Sequence, residues 1–157
     1  MAIVALLATV ALVGYRYART RSLEAAVITS LTAINHAQFA YMQSCGGQRY
    51  APTLVSLGTP VPGNEHGFIS PDLAVSDPLQ KSGYVFQMTG TEATESEPTC
   101  TGAVPIERYR LTADPMQPGD SARFFGTNTD RVIYHDAATF AEDMPETGPP
   151  GHGAEIR

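Results

Sequence analysis

Residues 1–14 read MAIVALLATVALVG and residues 15–44 read YRYARTRSLEAAVITSLTAINHAQFAYMQS, and these two stretches together decide the fold. The first has no charged side chain, and Thr9 is its one polar side chain. Crossing the hydrocarbon of a bilayer takes ~20 apolar residues, so the run is short for a complete span. It matches the apolar region of a secretory signal, but no basic segment precedes it and no small-x-small cleavage site follows. A buried core helix would also suit its length. The next residues argue against that: Arg16, Arg19 and Arg21 alternate with Tyr15 and Tyr17, the aromatic and basic collar of a membrane interface. Within the run, Ala2, Ala5, Ala8, Ala11 and Gly14 recur every three residues, a spacing that lets helices approach closely.

Past the collar the helical period continues. Leu23, Val27, Leu31, Ile34 and Tyr41 form one stripe, with Ala26, Ala33, Ala37 and Ala40 around it. Neither Pro nor Gly interrupts residues 15–44, and Gly46-Gly47 supplies the stop. A helix from the N-terminus to Ser44 would be on the order of 65 Å long. A compact body of the remaining hundred or so residues has a gyration radius of about 13 Å. The helix is therefore expected to protrude, and its apolar half needs lipid or other copies of itself.

Residues 48–80 hold prolines and glycines between brief apolar patches and read as a long ordered loop. From Lys81 the period changes to strands: 83–88 (GYVFQM), 106–113 (IERYRLTA), 122–126 (ARFFG) and 131–135 (RVIYH). The alternation of 106–113 is imperfect. Residues 89–105 form an acidic polar loop, 114–120 (DPMQPGD) a turn and 126–130 (GTNTD) a hairpin turn. Such connections imply an antiparallel meander of three or four strands. The expected architecture is α+β, with a helix over 1–44 (1–14 apolar, 22–44 amphipathic), a head over 45–141 and a disordered tail over 142–157.

Hydrophobic residues make up 43% of the chain and charged residues 17%, which excludes wholesale disorder. Residues 1–50 carry a net charge of +3 and residues 51–157 a net charge of −9. An acidic bulk excludes a general nucleic-acid surface, which needs clustered Lys and Arg. His36, His66, His135 and His152 show no metal-ligand spacing, and no metal or other cofactor is expected. Glu92, Glu95 and Glu97 read as a solvated loop, and 63–67 (GNEHG) as turn composition. No nucleophile elbow, phosphate-binding loop or dinucleotide fingerprint occurs, so no enzymatic activity is expected.

The two cysteines, Cys45 and Cys100, lie far apart in polar segments, which suits one disulfide in an oxidising compartment. Arginines just after the apolar run would place the body in the cytoplasm by the positive-inside rule. Both readings hold if a basic leader precedes Met1, so Met1 is expected to lie inside a longer apolar helix.

The order of these features carries a resemblance. The apolar run, the collar YRYARTRSLEAA, the helix AVITSLTAINHAQFAYMQSCGG and then YAPTLVSLG resemble type IV pilins and the pseudopilins of type II secretion. KSGYVFQM, YRLTADPMQPG and RFFGTNTDRVIYHD resemble the sheet of the small-pilin branch. The likeness implies a pilin-like fold and a structural subunit anchored in the bacterial inner membrane by one N-terminal helix. Its head would lie in the periplasm. It also implies assembly with copies of itself or other pilins, through a pilus or secretion machinery, into a periplasmic or extracellular filament. The family's processing site, a Gly before an aromatic-apolar segment with a nearby Glu, does not occur in this chain. The likeness leaves pilus and pseudopilus as alternatives. The competing reading is a monomeric, membrane-anchored periplasmic binding module that uses the 48–80 loop or the sheet face.

Overall fold

One helix, α1 (Ala2–Ser44), runs unbroken through the collar into the body. The structure, a computed structural model, describes residues 2–94, 97–119 and 122–156, with the backbone alone for residues 2–13 and for Arg16. The helix ends where the glycines predict. The amides of Cys45 and Gly46 donate to the Tyr41 carbonyl at 2.9 and 2.7 Å, and the Gln48 amide donates to Met42 at 3.1 Å. Gly46 is required there, because a Cβ would lie 1.9 Å from the Arg49 carbonyl oxygen. Such bonds satisfy carbonyls that a helix end otherwise leaves unpaired.

The body is a six-stranded antiparallel meander, in the order β1 (Leu79–Lys81), β2 (Tyr84–Glu92), β3 (Ile106–Pro115), β4 (Phe124–Asn128), β5 (Ile133–Asp136) and β6 (Ala154–Glu155). The class is α+β. Three or four strands were expected; the additional ones are the edges β1 and β6, too short to leave an alternation in sequence. The centre, β2 to β5, falls on the four expected runs with shifted ends. β2 continues to Glu92 into the stretch read as loop. Residues 126–128, read as turn, finish β4, and the reversal falls after Asn128, with Arg131 in the left-handed region at φ 64°. The expected long loop also folds locally, as α2 (Leu54–Gly58) and a 3₁₀ turn (Pro71–Leu73). Thr53 caps α2, its Oγ1 accepting the Ser56 amide at 3.0 Å.

One face of the sheet receives the stripe of α1. Val27, Leu31, Ile34 and Tyr41 are buried there in one core with Phe86, Tyr109, Leu111, Ala113 and Phe125. A bulge opposite Thr91 and Glu92 explains the irregular alternation of β3. It lets Ile106 and Tyr109 both face inward although they are three positions apart.

The tail, expected to be disordered, packs together with Phe140 over β4 and along β5 on the other face of the sheet, while Gln87 and Thr89 of β2 stay exposed there. Phe140 and Met144 are buried over Gly126, where an added Cβ would lie 2.9 Å from Met144 Sδ and 3.1 Å from Phe140 Cγ. Arg110 holds this layer by donating from Nη1 to the Met144 carbonyl at 3.1 Å, and Asn128 Nδ2 donates to the carbonyls of Pro145 and Gly148 at 3.0 and 2.7 Å. Farther on, the His152 ring stacks on Phe140 at 4.7 Å, its Nδ1 lies 2.6 Å from Asp136 Oδ2, and the Ile156 amide donates to Ile133 at 2.8 Å. A few apolar anchors and many backbone bonds hold the segment, and these do not show as periodicity.

Candidate functional site

The residues singled out in sequence fall into two groups at opposite ends of the body-bound part of α1. At its end, Cys45 and Cys100 form the expected disulfide, with Cα atoms 5.0 Å apart. The bridge works with two neighbours. The Cys100 amide donates to the Cys45 carbonyl at 3.2 Å, and the Tyr41 hydroxyl donates to Thr99 Oγ1 at 2.6 Å. Together they tie the loop between β2 and β3 to the last turn of the helix.

At the other end lies the collar. Tyr15 and Tyr17 are exposed at 66% and 63%, and nothing comes within 4 Å of a Cβ built on Gly14. Arg21 lies 5.3 Å over the Tyr17 ring and donates from Nε to its hydroxyl at 3.2 Å. This hydroxyl and the Glu24 carboxylate together hold the Arg21 guanidinium above its ordinary pKa. Arg19 lies one turn from Tyr15 and faces a groove described below. The side chains of Ala2, Ala5, Ala8, Ala11 and Arg16 lie outside the described residues. Among the described residues, no helix is long and apolar enough to cross a membrane.

Sequence reading missed the polar side chains that dock α1 on the sheet. Glu24, 2% exposed, accepts from Arg123 Nη2 at 2.6 Å and Nε at 3.1 Å, and from Arg21 Nη1 at 3.2 Å. The Asn35 amide donates to Thr127 Oγ1 at 2.9 Å, while its oxygen accepts from the Tyr109 hydroxyl at 3.0 Å. Gln38 spans both atoms of Ala51: Oε1 accepts its amide at 2.9 Å and Nε2 donates to its carbonyl at 3.0 Å. Burial is the main reason that Tyr109 is held above its ordinary pKa and Tyr84 is pushed up to about 12; the Glu24 charge adds to the latter. Glu24 and Asn35 flank the apolar stripe by one position, a signal identical to that of a solvated helix flank, whereas Gln38 falls within the stripe, four residues after Ile34 and three before Tyr41.

Among the described residues, no group of three His, Cys, Asp or Glu side chains is placed to hold a metal ion. His36 and His66 are exposed, His135 lies on β5, and His152 sits between Asp136 and Asp143, 3.8 Å from the latter. Glu92 ends β2, Glu97 is exposed and Glu95 lies outside the described residues. The 63–67 turn borders a cleft of about 390 Å³ lined by Gly58, Glu65, His66 and Phe68.

This is an α+β head carried on one long helix, with a bridge at one end of their contact and an aromatic-basic collar at the other. No known protein family, no curated protein and no solved structure matches the chain.

Proposed function

We propose that this protein is a structural filament subunit of the type IV pilin or pseudopilin kind, anchored and assembled through the apolar half of α1. The observation that carries the reading is the mismatch between helix and body. At 1.5 Å per residue, the 43 residues of α1 extend about 65 Å, and among its described side chains, Gly14 onward, the first buried one is Glu24. Its other half begins with an uncharged apolar run and ends in an exposed collar. A sequence this apolar is stabilised by lipid or by like helices, and its small residues every third position favour helix contact. The disulfide fits a periplasmic or extracellular location for the head.

The competing reading, an anchored monomeric binding module, has less of the sheet face to work with. One sheet face is covered by α1, and Phe140 and Met144 cover β4 on the other, which leaves the β2 strip at Gln87 and Thr89 and the 48–80 loop with its cleft. The test compares two versions, each with an export leader, in cells with a working assembly machinery. The full chain should resist alkaline extraction from membranes and enter sheared surface filaments. A version starting at Ser22 should be a soluble monomer in the periplasm. Equal entry of both versions into filaments, or release of the full chain as a soluble monomer, removes the proposal.

A further inference from the structure

A groove of about 540 Å³ opens between α1 and the sheet at the collar end of the body. Leu23, Tyr84, Pro115 and Met116 supply its apolar lining, and Arg19 stands at its rim. Met116 is 50% exposed, so the body's apolar surface continues into the same zone as exposed Tyr15 and Tyr17. Tyr and apolar side chains gathered at one end, beside arginines, are the composition of a bilayer interface.

The charges around the groove are unequal in their commitments. Arg21 and Arg123 are both held by Glu24, and Lys81 is held by Asp72. Among the described residues Arg19 forms no ion pair, although it stands at the mouth of an apolar groove. A cation on a flexible stem above apolar surface suits a ligand with a negative head and a hydrocarbon tail.

We propose that this groove seats an anionic phospholipid, with an acyl chain along Leu23, Tyr84 and Met116 and its phosphate on Arg19. The inference rests on the membrane anchoring proposed above. The lipid would fill the gap between helix and head at the bilayer surface and set how the head stands on the membrane. A second copy of the chain is the competing occupant, since its acidic head also complements Arg19; the groove's place beside the apolar run and the exposed Tyr15 and Tyr17 favours lipid.

The test uses the full chain in dodecyl maltoside micelles. Retained lipid is measured by native mass spectrometry after adding phosphatidylglycerol or phosphatidylcholine with the same acyl chains. One arginine near an anionic lipid surface corresponds to a preference of about fivefold for phosphatidylglycerol. Arg19→Gln should bring that ratio to about one, and Met116→Glu should lower retention of both lipids. Equal retention by the native chain, or an unchanged ratio in Arg19→Gln, overturns the inference. So does loss of self-association in Arg19→Gln with lipid retention unchanged, which would assign the groove to a second copy. Alkaline extraction of membranes separates the two levels. A chain that resists extraction without lipid preference sinks the groove alone, whereas an extractable chain sinks the anchoring as well.

Discussion

Replacing Glu24 and Arg123, singly and together, probes the contact that fixes α1 on the sheet. Glu24 is 2% exposed, and the Arg123 side chain 28% exposed, with the closest charged atoms 2.6 Å apart. Breaking a wholly buried pair costs 3–5 kcal/mol, roughly, because the survivor stays charged and dry. Here the two survivors differ. Glu24→Ala leaves Arg123 with access to water and should cost about 2 kcal/mol. Arg123→Ala leaves a carboxylate in the core with Arg21 alone at 3.2 Å, and also removes the guanidinium lying 5.4 Å over the Phe125 ring. That variant should cost about 3 kcal/mol. Once Glu24 is gone, Arg123 has no buried charge to neutralise, so the double variant should fall close to Glu24→Ala. The implied coupling is ~3 kcal/mol. The assay is urea unfolding of residues 15–157, which keep Arg21, followed by circular dichroism, with free energies from linear extrapolation. Single effects that add to within ~0.5 kcal/mol in the double variant would refute the docking role of the pair.

Three further expectations follow from the same geometry. Reducing Cys45–Cys100, which bridges 55 positions of chain, should lower stability by about 4 kcal/mol in the chain-entropy account; an unchanged urea midpoint under reductant contradicts it. Gly126→Ala should destabilise by ~1–3 kcal/mol, since the new methyl meets Met144 and Phe140, and a midpoint equal to the native one would show that the outer layer yields freely. The hydrogen bond to His152 holds the Asp136 carboxyl below its ordinary value of 3.8, helped by the Ala137 amide. A depressed carboxyl stabilises the fold above its ordinary pKa and loses that contribution as pH falls through the folded value. Hydrogen exchange at 152–156 should therefore, after correction for intrinsic rates, lose protection on acidification below about pH 4, and Asp136→Asn should abolish this dependence.

Helix and sheet differed in how far sequence could reveal them. The stripe from Leu23 to Tyr41 repeats over enough turns that its period is unmistakable, and the four central strands are long enough to show β-branched and aromatic runs. Strands of three and two residues such as β1 and β6 have no period; their neighbours' hydrogen bonds create them. Irregularity in 106–113 was itself a signal of the bulge opposite Thr91 and Glu92. Residues 142–156 looked disordered because their anchors, Met144 and Ile156, stand alone among Gly, Pro and acidic residues. Cys45 and Cys100 were legible as a pair, with only two cysteines in the chain. Glu24, Asn35 and Gln38 were not, because their partners on β3, β4 and the loops are distant in sequence. The groove joins residues from 19 to 122, so only the folded chain brings it together.

Assembly through the apolar half of α1 is the claim on which the functional account depends, and a cross-link placed there tests it directly. Ala8→Cys, introduced into the full chain in cells with a working assembly machinery, puts a thiol in the middle of the apolar run. After mild oxidation, the sheared surface fraction should contain disulfide-linked dimers that reductant collapses to monomer. The native chain, whose cysteines are already paired with each other, should give none. A chain that reaches the surface fraction yet stays monomeric under oxidation, or that never enters this fraction, would contradict the account.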